Sequence, residues 1–194
     1  SKVNILGIEP SSNVAKISKK KGIKTINSFF TYRNVNRLKK LKNNTDIICA
    51  ANVICHVPDL TDLIRGVDYL LNKNGLFIFE EPYLGSMYEK TSYDQIYDEH
   101  IFMFSVNSIK KVFNLFNFDL IDVIPQKTQG GSMRYVIGRT SVHNVKKSVF
   151  KHLKYEKKKN IDSIKGCFQF KKKCEISKKK LKNKIDKILK KGKK

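Results

Sequence analysis

Asp46-Ile47-Ile48-Cys49-Ala50-Ala51-Asn52-Val53-Ile54-Cys55-His56-Val57-Pro58-Asp59 is the stretch on which the fold turns. Residues 46–51 are almost continuously apolar, the pattern of a strand covered on both faces, because a half-exposed strand would alternate. Pro58-Asp59 ends the run and can open a helix. Leu60, Leu63, Ile64, Val67, Leu70 and Leu71 then repeat at helical spacing until Asn74-Gly75 stops them. Residues 76–79 form a second buried strand. Strand, helix, strand is one βαβ unit, which implies a right-handed crossover and a mostly parallel sheet.

The pattern extends outward in both directions. Upstream, residues 3–8 read as a strand, followed by Glu9-Pro10. Ser11 or Ser12 caps a helix to about Lys21, and Gly22 closes it. Residues 23–27 are a further short strand, and 34–42 suit a helix with Val35, Leu38 and Leu41 on one face. Downstream lies a polar, tyrosine-rich segment at 80–99, a helix at about 105–116, and strands at about 120–124 and 133–137. In such α/β sheets ligands bind beyond the carboxyl ends of the strands, so the residues just after each strand are the candidates for chemistry.

Composition sets bounds. The chain has 194 residues, 40% hydrophobic and 10% aromatic, enough for a domain with a core and too apolar for wholesale disorder. No apolar run approaches the ~20 residues that span a bilayer. The opening Ser1-Lys2-Val3-Asn4-Ile5-Leu6-Gly7 lacks a signal-peptide layout, so the cytoplasm is the expected location, with no membrane partner. Cys49, Cys55, Cys167 and Cys174 form no CxxC pair. They read as reduced thiols, buried in the case of Cys49 and Cys55, and no metal is assigned to them.

The net charge of +23 is unevenly spread: residues 141–194 carry 21 basic and 4 acidic side chains, and residues 1–140 the other 19 and 13. The excess is nearly all Lys with few aromatics between, whereas nucleic-acid readers favour Arg forks and stacking rings. A solvated helical surface is the expected reading, with Ile161, Ile164, Phe168, Cys174, Leu181, Ile185 and Ile188 as apolar positions of one or two long helices.

Several residues beyond the strand ends could carry chemistry. Glu9 follows the first strand, where a carboxylate can accept from ribose hydroxyls. Phe29-Phe30 could flank an adenine or serve as core aromatics. Asn52 and His56 follow the strand at 46–51, and a histidine in such an apolar stretch is more often structural. Tyr97-Asp98-Glu99-His100, preceded by Tyr93, is the densest cluster: imidazole is a natural general base near neutral pH, a carboxylate can orient it, and a phenol can donate to developing charge. The bland alternative is a surface loop. Gly130-Gly131-Ser132 with Arg134 could approach an anion or simply turn into a strand.

Taken together and in order, Gly7-Ile8-Glu9-Pro10-Ser11, Asn52-Val53 with His56-Val57-Pro58-Asp59-Leu60, Tyr97-Asp98-Glu99-His100, and Gly130-Gly131-Ser132-Met133-Arg134 resemble the sugar C-methyltransferases, over about residues 3–138. That resemblance implies an α/β, Rossmann-like class I methyltransferase core and S-adenosylmethionine as cofactor. It implies methylation of a carbon, typically C3, of a nucleotide-linked 4-keto sugar. Glu9 would bind the cofactor ribose, Phe29 and Phe30 would lie near adenine, and Asn52 would sit on the cofactor side. His100 would be the base that removes the sugar proton, with Tyr97, Glu99 and His56 around the sugar, and Tyr93, Ser132 and Arg134 as substrate-binding residues.

The chain also departs from that family. It shows no cysteine-rich zinc module before the core and no glycine-rich first strand and loop, so zinc would belong only to an absent N-terminal domain. The missing strand would lie between those at 3–8 and 46–51 and leave two edges unpaired. The expected organisation is a partial core at 1–140 and a lysine-rich helical extension at 141–194 leading toward a further domain. A chain of this kind is expected to bind the cofactor poorly by itself. Two other classes remain open: another small-molecule methyltransferase on the same fold, or a non-catalytic basic module for nucleic acid or anionic surfaces. Oligomeric state is not legible.

Overall fold

In the computed structural model, which describes residues 3–192, the chain forms two compact units. One comprises the residues up to Ile48 together with Val57–Phe77; the other comprises Cys49–His56 and the chain from Ile78 onward.

The first unit opens with β1 (Leu6–Ile8), α1 (Ser12–Lys20) and β2 (Lys24–Ile26). β1 and β2 pair in parallel, Leu6 opposite Lys24 and Ile8 opposite Ile26, so the expected parallel unit is present. Gly22, two residues past the end of α1, closes it with a φ of 81°, in the left-handed region that glycine enters without a steric penalty. Residues 3–5 stay outside β1, and Val3 and Ile5 are exposed.

The helix expected at 34–42 does not form as one piece. Instead α2 (Tyr32–Val35), capped by Thr31, is followed by a 3-10 turn at Lys39–Leu41. Asparagine is a weak helix former, and the carbonyl of Asn36 is taken by Tyr69 Oη at 3.1 Å instead of by a continuing helix. α3 (Leu60–Leu70) starts where Pro58-Asp59 predicts. The Asp59 carboxylate accepts from the Asp62 N–H at 2.9 Å, and Leu63, Ile64, Val67 and Leu70 are buried.

β3 (Thr45–Ala51) and β4 (Leu71–Pro82) run on into the second unit, which adds β5 (Phe118–Gln126) and β6 (Ser132–Arg139) in the order β3-β4-β6-β5. β3 stands at the end of that order. The expectation of a strand covered on both faces is corrected: Ile47 is 57% exposed and Cys49 is exposed, and alternation along a strand puts both on one face, which is left uncovered among the described residues. β5 and β6 are antiparallel, with Phe118 opposite Arg139 and Gln126 opposite Ser132, so the sheet is mixed.

The polar segment at 80–99 holds a helix the periodicity did not predict, α4 (Leu84–Lys90). Its short run Leu-Gly-Ser-Met-Tyr-Glu-Lys is too brief and too polar to show a stripe, yet Met87 and Tyr88 are buried. α5 (Val106–Asn114) starts in a capping box in which Ser105 and Ser108 exchange side-chain and backbone bonds. The core of this unit is aromatic: Phe79 stacks on Tyr135 at 5.0 Å and on Phe113 at 5.7 Å between centroids.

The lysine-rich segment, expected to form one or two long helices, forms two, α6 (Lys147–Lys159) and α7 (Ile164–Leu189). α6 packs on β5 and α5 through Val149 and the buried Glu156. Gly166, early in α7, is required by close approach, since a Cβ there would lie 1.9 Å from the Asn160 carbonyl oxygen. Along α7, Phe168, Leu181, Ile185 and Ile188 are exposed. No helix of the described residues is long and apolar enough to cross a membrane.

Candidate active site

The second unit gathers the chemistry at the end of β3. Asn52 takes φ 52°, a left-handed conformation that asparagine tolerates better than most residues, and its N–H donates to the Glu80 carbonyl at 2.9 Å. The chain then turns sharply. Val53 and Ile54 N–H donate to one oxygen of the buried Glu81 carboxylate at 3.0 and 2.7 Å, and residues Ile54–His56 form a 3-10 turn. Glu81 thus holds the turn that carries Asn52, Cys55 and His56. Sequence reading passed over it as the start of a polar segment; a carboxylate ending an apolar strand was the available signal. Its second oxygen, Oε2, has no conventional hydrogen-bond partner among the described residues, and the Glu81 side chain neighbours the Cys55 thiol. Burial, reinforced by Glu81, pushes that thiol well above its ordinary value.

The Tyr97–His100 segment is tied to this turn by its backbone. Ile101 N–H and Phe102 N–H both donate to the Cys55 carbonyl, at 2.9 and 3.3 Å. His56 Nδ1 donates to the Glu99 carbonyl at 2.7 Å, and His100 Nδ1 donates to the Gln95 carbonyl at 2.8 Å. A carbonyl can only accept, so the proton of each neutral ring sits on Nδ1 and Nε2 keeps its lone pair. Tyr97 Oη donates to His100 Nε2 at 2.9 Å, the rings being 4.1 Å apart. The two imidazoles lie 5.0 Å apart between centroids.

Of the residues singled out from sequence, His56, Tyr97, Glu99 and His100 are brought together, and Asn52 belongs to the same strand-end turn. Glu99 enters through its carbonyl, not its exposed carboxylate. Tyr93 is exposed on a separate 3-10 turn (Tyr93–Gln95). Ser132 is buried, its hydroxyl donating to the Thr128 carbonyl at 3.2 Å. Arg134 pairs with Glu80 at 3.0 Å, while the other Glu80 oxygen accepts from Thr128 Oγ1 at 2.7 Å. A shallow cleft lined by Tyr83, Met87, Ser92, Gln95, Met103 and Gly130-Gly131 adjoins the Gln95 carbonyl that orients His100.

Glu9, Phe29 and Phe30 belong to the first unit. Glu9 carries out a local job there: its carboxylate accepts from Ser11 N–H at 2.7 Å at the start of α1, and its own N–H donates to Ile26 O at 3.0 Å. Phe30 packs on α3, where a Cβ at Gly66 would lie 2.8 Å from its ring, whereas Phe29 is 70% exposed.

An α/β chain with this strand order, an antiparallel β5–β6 pair and polar residues gathered beyond its strand ends has the fold of the class I methyltransferases. Solved structures agree. A SAM-dependent methyltransferase from Anabaena variabilis matches at TM-score 0.53 and 14% identity, over 70% of this chain and 68% of that one. The magnesium protoporphyrin IX methyltransferase of Synechocystis, solved with bound SAH, matches at TM-score 0.50 and 13% identity, over 70% of this chain and 64% of that one.

The chain belongs to the methyltransferase-domain family, whose model matches residues 1–123, and a C-methyltransferase C-terminal domain matches residues 127–194. Among curated proteins it is similar to the C-methyltransferase NovU of Streptomyces niveus, 27% identical over 158 residues. That match covers 81% of this chain and 38% of the relative's length.

Proposed function

We propose that this chain is part of an S-adenosylmethionine-dependent C-methyltransferase that methylates a nucleotide-linked keto-sugar, with His100 as the base. The observation that carries the reading is the protonation pattern of His100. Its Nδ1–H is committed to the Gln95 carbonyl, so Nε2 is the ring's proton acceptor. Tyr97 Oη, 2.9 Å from that nitrogen, marks where a substrate proton would be taken.

A proton on the carbon next to a ketone is acidified because the charge left behind spreads onto the carbonyl oxygen as an enolate. His100 Nε2 accepts the proton, becoming an imidazolium that keeps its Nδ1–H on Gln95. Tyr97, displaced from Nε2, is a donor available to the enolate oxygen, and His56 is a second polar group beside the pair. The protein otherwise supplies alignment.

S-adenosylmethionine, when bound, supplies the electrophilic methyl that the sugar carbon takes. The residues present fit such a cofactor: Glu9 has one oxygen committed to Ser11 N–H and another free to accept from a ribose diol, and Phe29 offers an exposed ring face to adenine. The similarity to a C-methyltransferase and the matched C-methyltransferase C-terminal domain support carbon as the acceptor.

Deuterium exchange tests the base directly. A protein spanning the relative's full length, given a nucleoside-diphosphate 4-keto sugar in heavy water without methyl donor, should exchange one proton next to the ketone. His100→Asn should abolish that exchange. Exchange that persists in the variant removes His100 from the role, and exchange at no carbon with wild type overturns the substrate class.

A further inference from the structure

Cys55, His56 and His100 have a second capability that methyl transfer does not use. Their ligand atoms, one from each residue, lie within 4.8 Å of one another. We propose that these three residues form a binding site for a borderline divalent cation such as zinc, with its fourth position open to water.

The ligand chemistry suits that ion: imidazole nitrogen and thiolate sulfur are the donors zinc prefers, and three protein ligands plus water make a tetrahedral open site. The surroundings suit it as well. Histidine ligands in metal sites characteristically donate their other N–H to a carbonyl or carboxylate, which fixes the tautomer. With Nε2 as each ring's ligand atom, both do so, His56 to Glu99 O and His100 to Gln95 O. The backbone bonds from Ile101 and Phe102 to the Cys55 carbonyl hold the two ligand-bearing segments together. An independent feature points the same way. The buried Glu81 side chain acts on the Cys55 thiol, and its Oε2 has no conventional hydrogen-bond partner among the described residues.

Binding needs a small contraction. Bond lengths of about 2.0–2.3 Å put tetrahedral ligand atoms about 3.3–3.6 Å apart, closer than the 4.8 Å bound seen here. Rotation of the half-buried imidazoles supplies it, with Tyr97 giving up His100 Nε2. As the sulfur–metal bond forms, the Cys55 S–H proton passes to solvent. The step involves no change of oxidation state. An ion on His100 and a proton-abstracting His100 exclude one another; that consequence, though not the binding, rests on the function proposed above.

The test uses the tag-free 194-residue chain with Cys49, Cys167 and Cys174 changed to Ser, leaving one thiol. Titration with cobalt(II) should give a near-ultraviolet thiolate-to-cobalt band and the visible bands of four-coordination, saturating at one equivalent and displaced by zinc. Cys55→Ser should remove the charge-transfer band. His56→Gln or His100→Gln should weaken binding at least tenfold while the far-ultraviolet circular dichroism stays unchanged. A band that survives both histidine variants, or none at all in the parent, overturns the site. Zinc K-edge absorption on the parent gives the same answer without any variant at the buried position: one sulfur and two imidazoles support it, and an oxygen-and-nitrogen shell overturns it. Neither readout depends on methyl transfer, so failure of the site and failure of the proposed function are separable.

Discussion

The histidine pair and the Glu156 network place polar groups under cover in opposite ways. Glu156, 1% exposed on α6, has both oxygens committed: Oε1 accepts from Tyr83 Oη at 2.9 Å and Val106 N–H at 2.7 Å, and Oε2 from Asn107 N–H at 2.9 Å. It satisfies the open N–H groups at the start of α5 and pins α6 to it. Desolvation raises its carboxyl above the usual range even though those three bonds pull the other way. His56 and His100 are only half-buried: each anchors Nδ1 on a backbone carbonyl, and the Nε2 of His100 accepts from the hydroxyl of exposed Tyr97, a partner that a substrate can displace. A group whose every bond is made to buried partners is structural; a group anchored at one atom and exchangeable at the other is suited to reaction.

Five substitutions, one of them followed across pH, can break or sharpen that contrast. The largest effect is expected at His100: in a full-length enzyme His100→Asn should lower kcat about 1000-fold, the scale of a lost general base, with the unfolding midpoint unchanged. A large loss of stability instead would make His100 structural. Glu156→Ala should do the reverse, costing about 3 kcal/mol in denaturant unfolding because two helix N–H groups and a buried phenol lose their acceptor.

Tyr97→Phe is intermediate. It removes the donor on His100 Nε2 and should reduce kcat about tenfold, roughly 1.4 kcal/mol, without moving stability. If the melting temperature falls instead, Tyr97 belongs with Glu156. Asp122→Asn tests the structural side by pH. Burial alone would raise the Asp122 carboxyl, but Lys146 at 2.7 Å and Ser148 hold it below its ordinary value. Its contribution is therefore present above the unfolded value of about 3.9 and lost as pH falls through the lower folded one. The stability difference between wild type and Asp122→Asn should be full at pH 6 and shrink toward zero in acid. The smallest effect is expected at exposed Phe29: Phe29→Ala should weaken S-adenosylhomocysteine binding by about 1 kcal/mol in calorimetry and leave folding intact.

The two lysine-rich helices show how far composition reaches. α6 and α7 look alike in sequence, yet α6 is docked through Glu156 and Val149, and α7 presents Phe168, Leu181 and Ile185 to solvent. Nothing in the run Tyr155-Glu156-Lys157-Lys158-Lys159 marks its glutamate as the buried one. Its partners lie about fifty residues away, at Val106 and Asn107, and seventy-three away, at Tyr83.

Local signals were decisive where local physics was. The Pro58-Asp59 start of α3, the Ser105 start of α5, the left-handed Gly22 and the strand–helix alternation follow from capping, backbone freedom and periodicity, all readable within a few residues. The grouping of His56 with Tyr97–His100 was legible as a family resemblance, since the two segments lie over forty residues apart. Tertiary structure alone decided the rest. It showed that Glu99 acts through its carbonyl, that Glu81 holds the β3 turn, and that Arg134 is paired with Glu80. It also showed that β3, read as covered on both faces, is half exposed. Each depends on which distant group or strand occupies the space beside a residue, and a one-dimensional pattern does not carry that information.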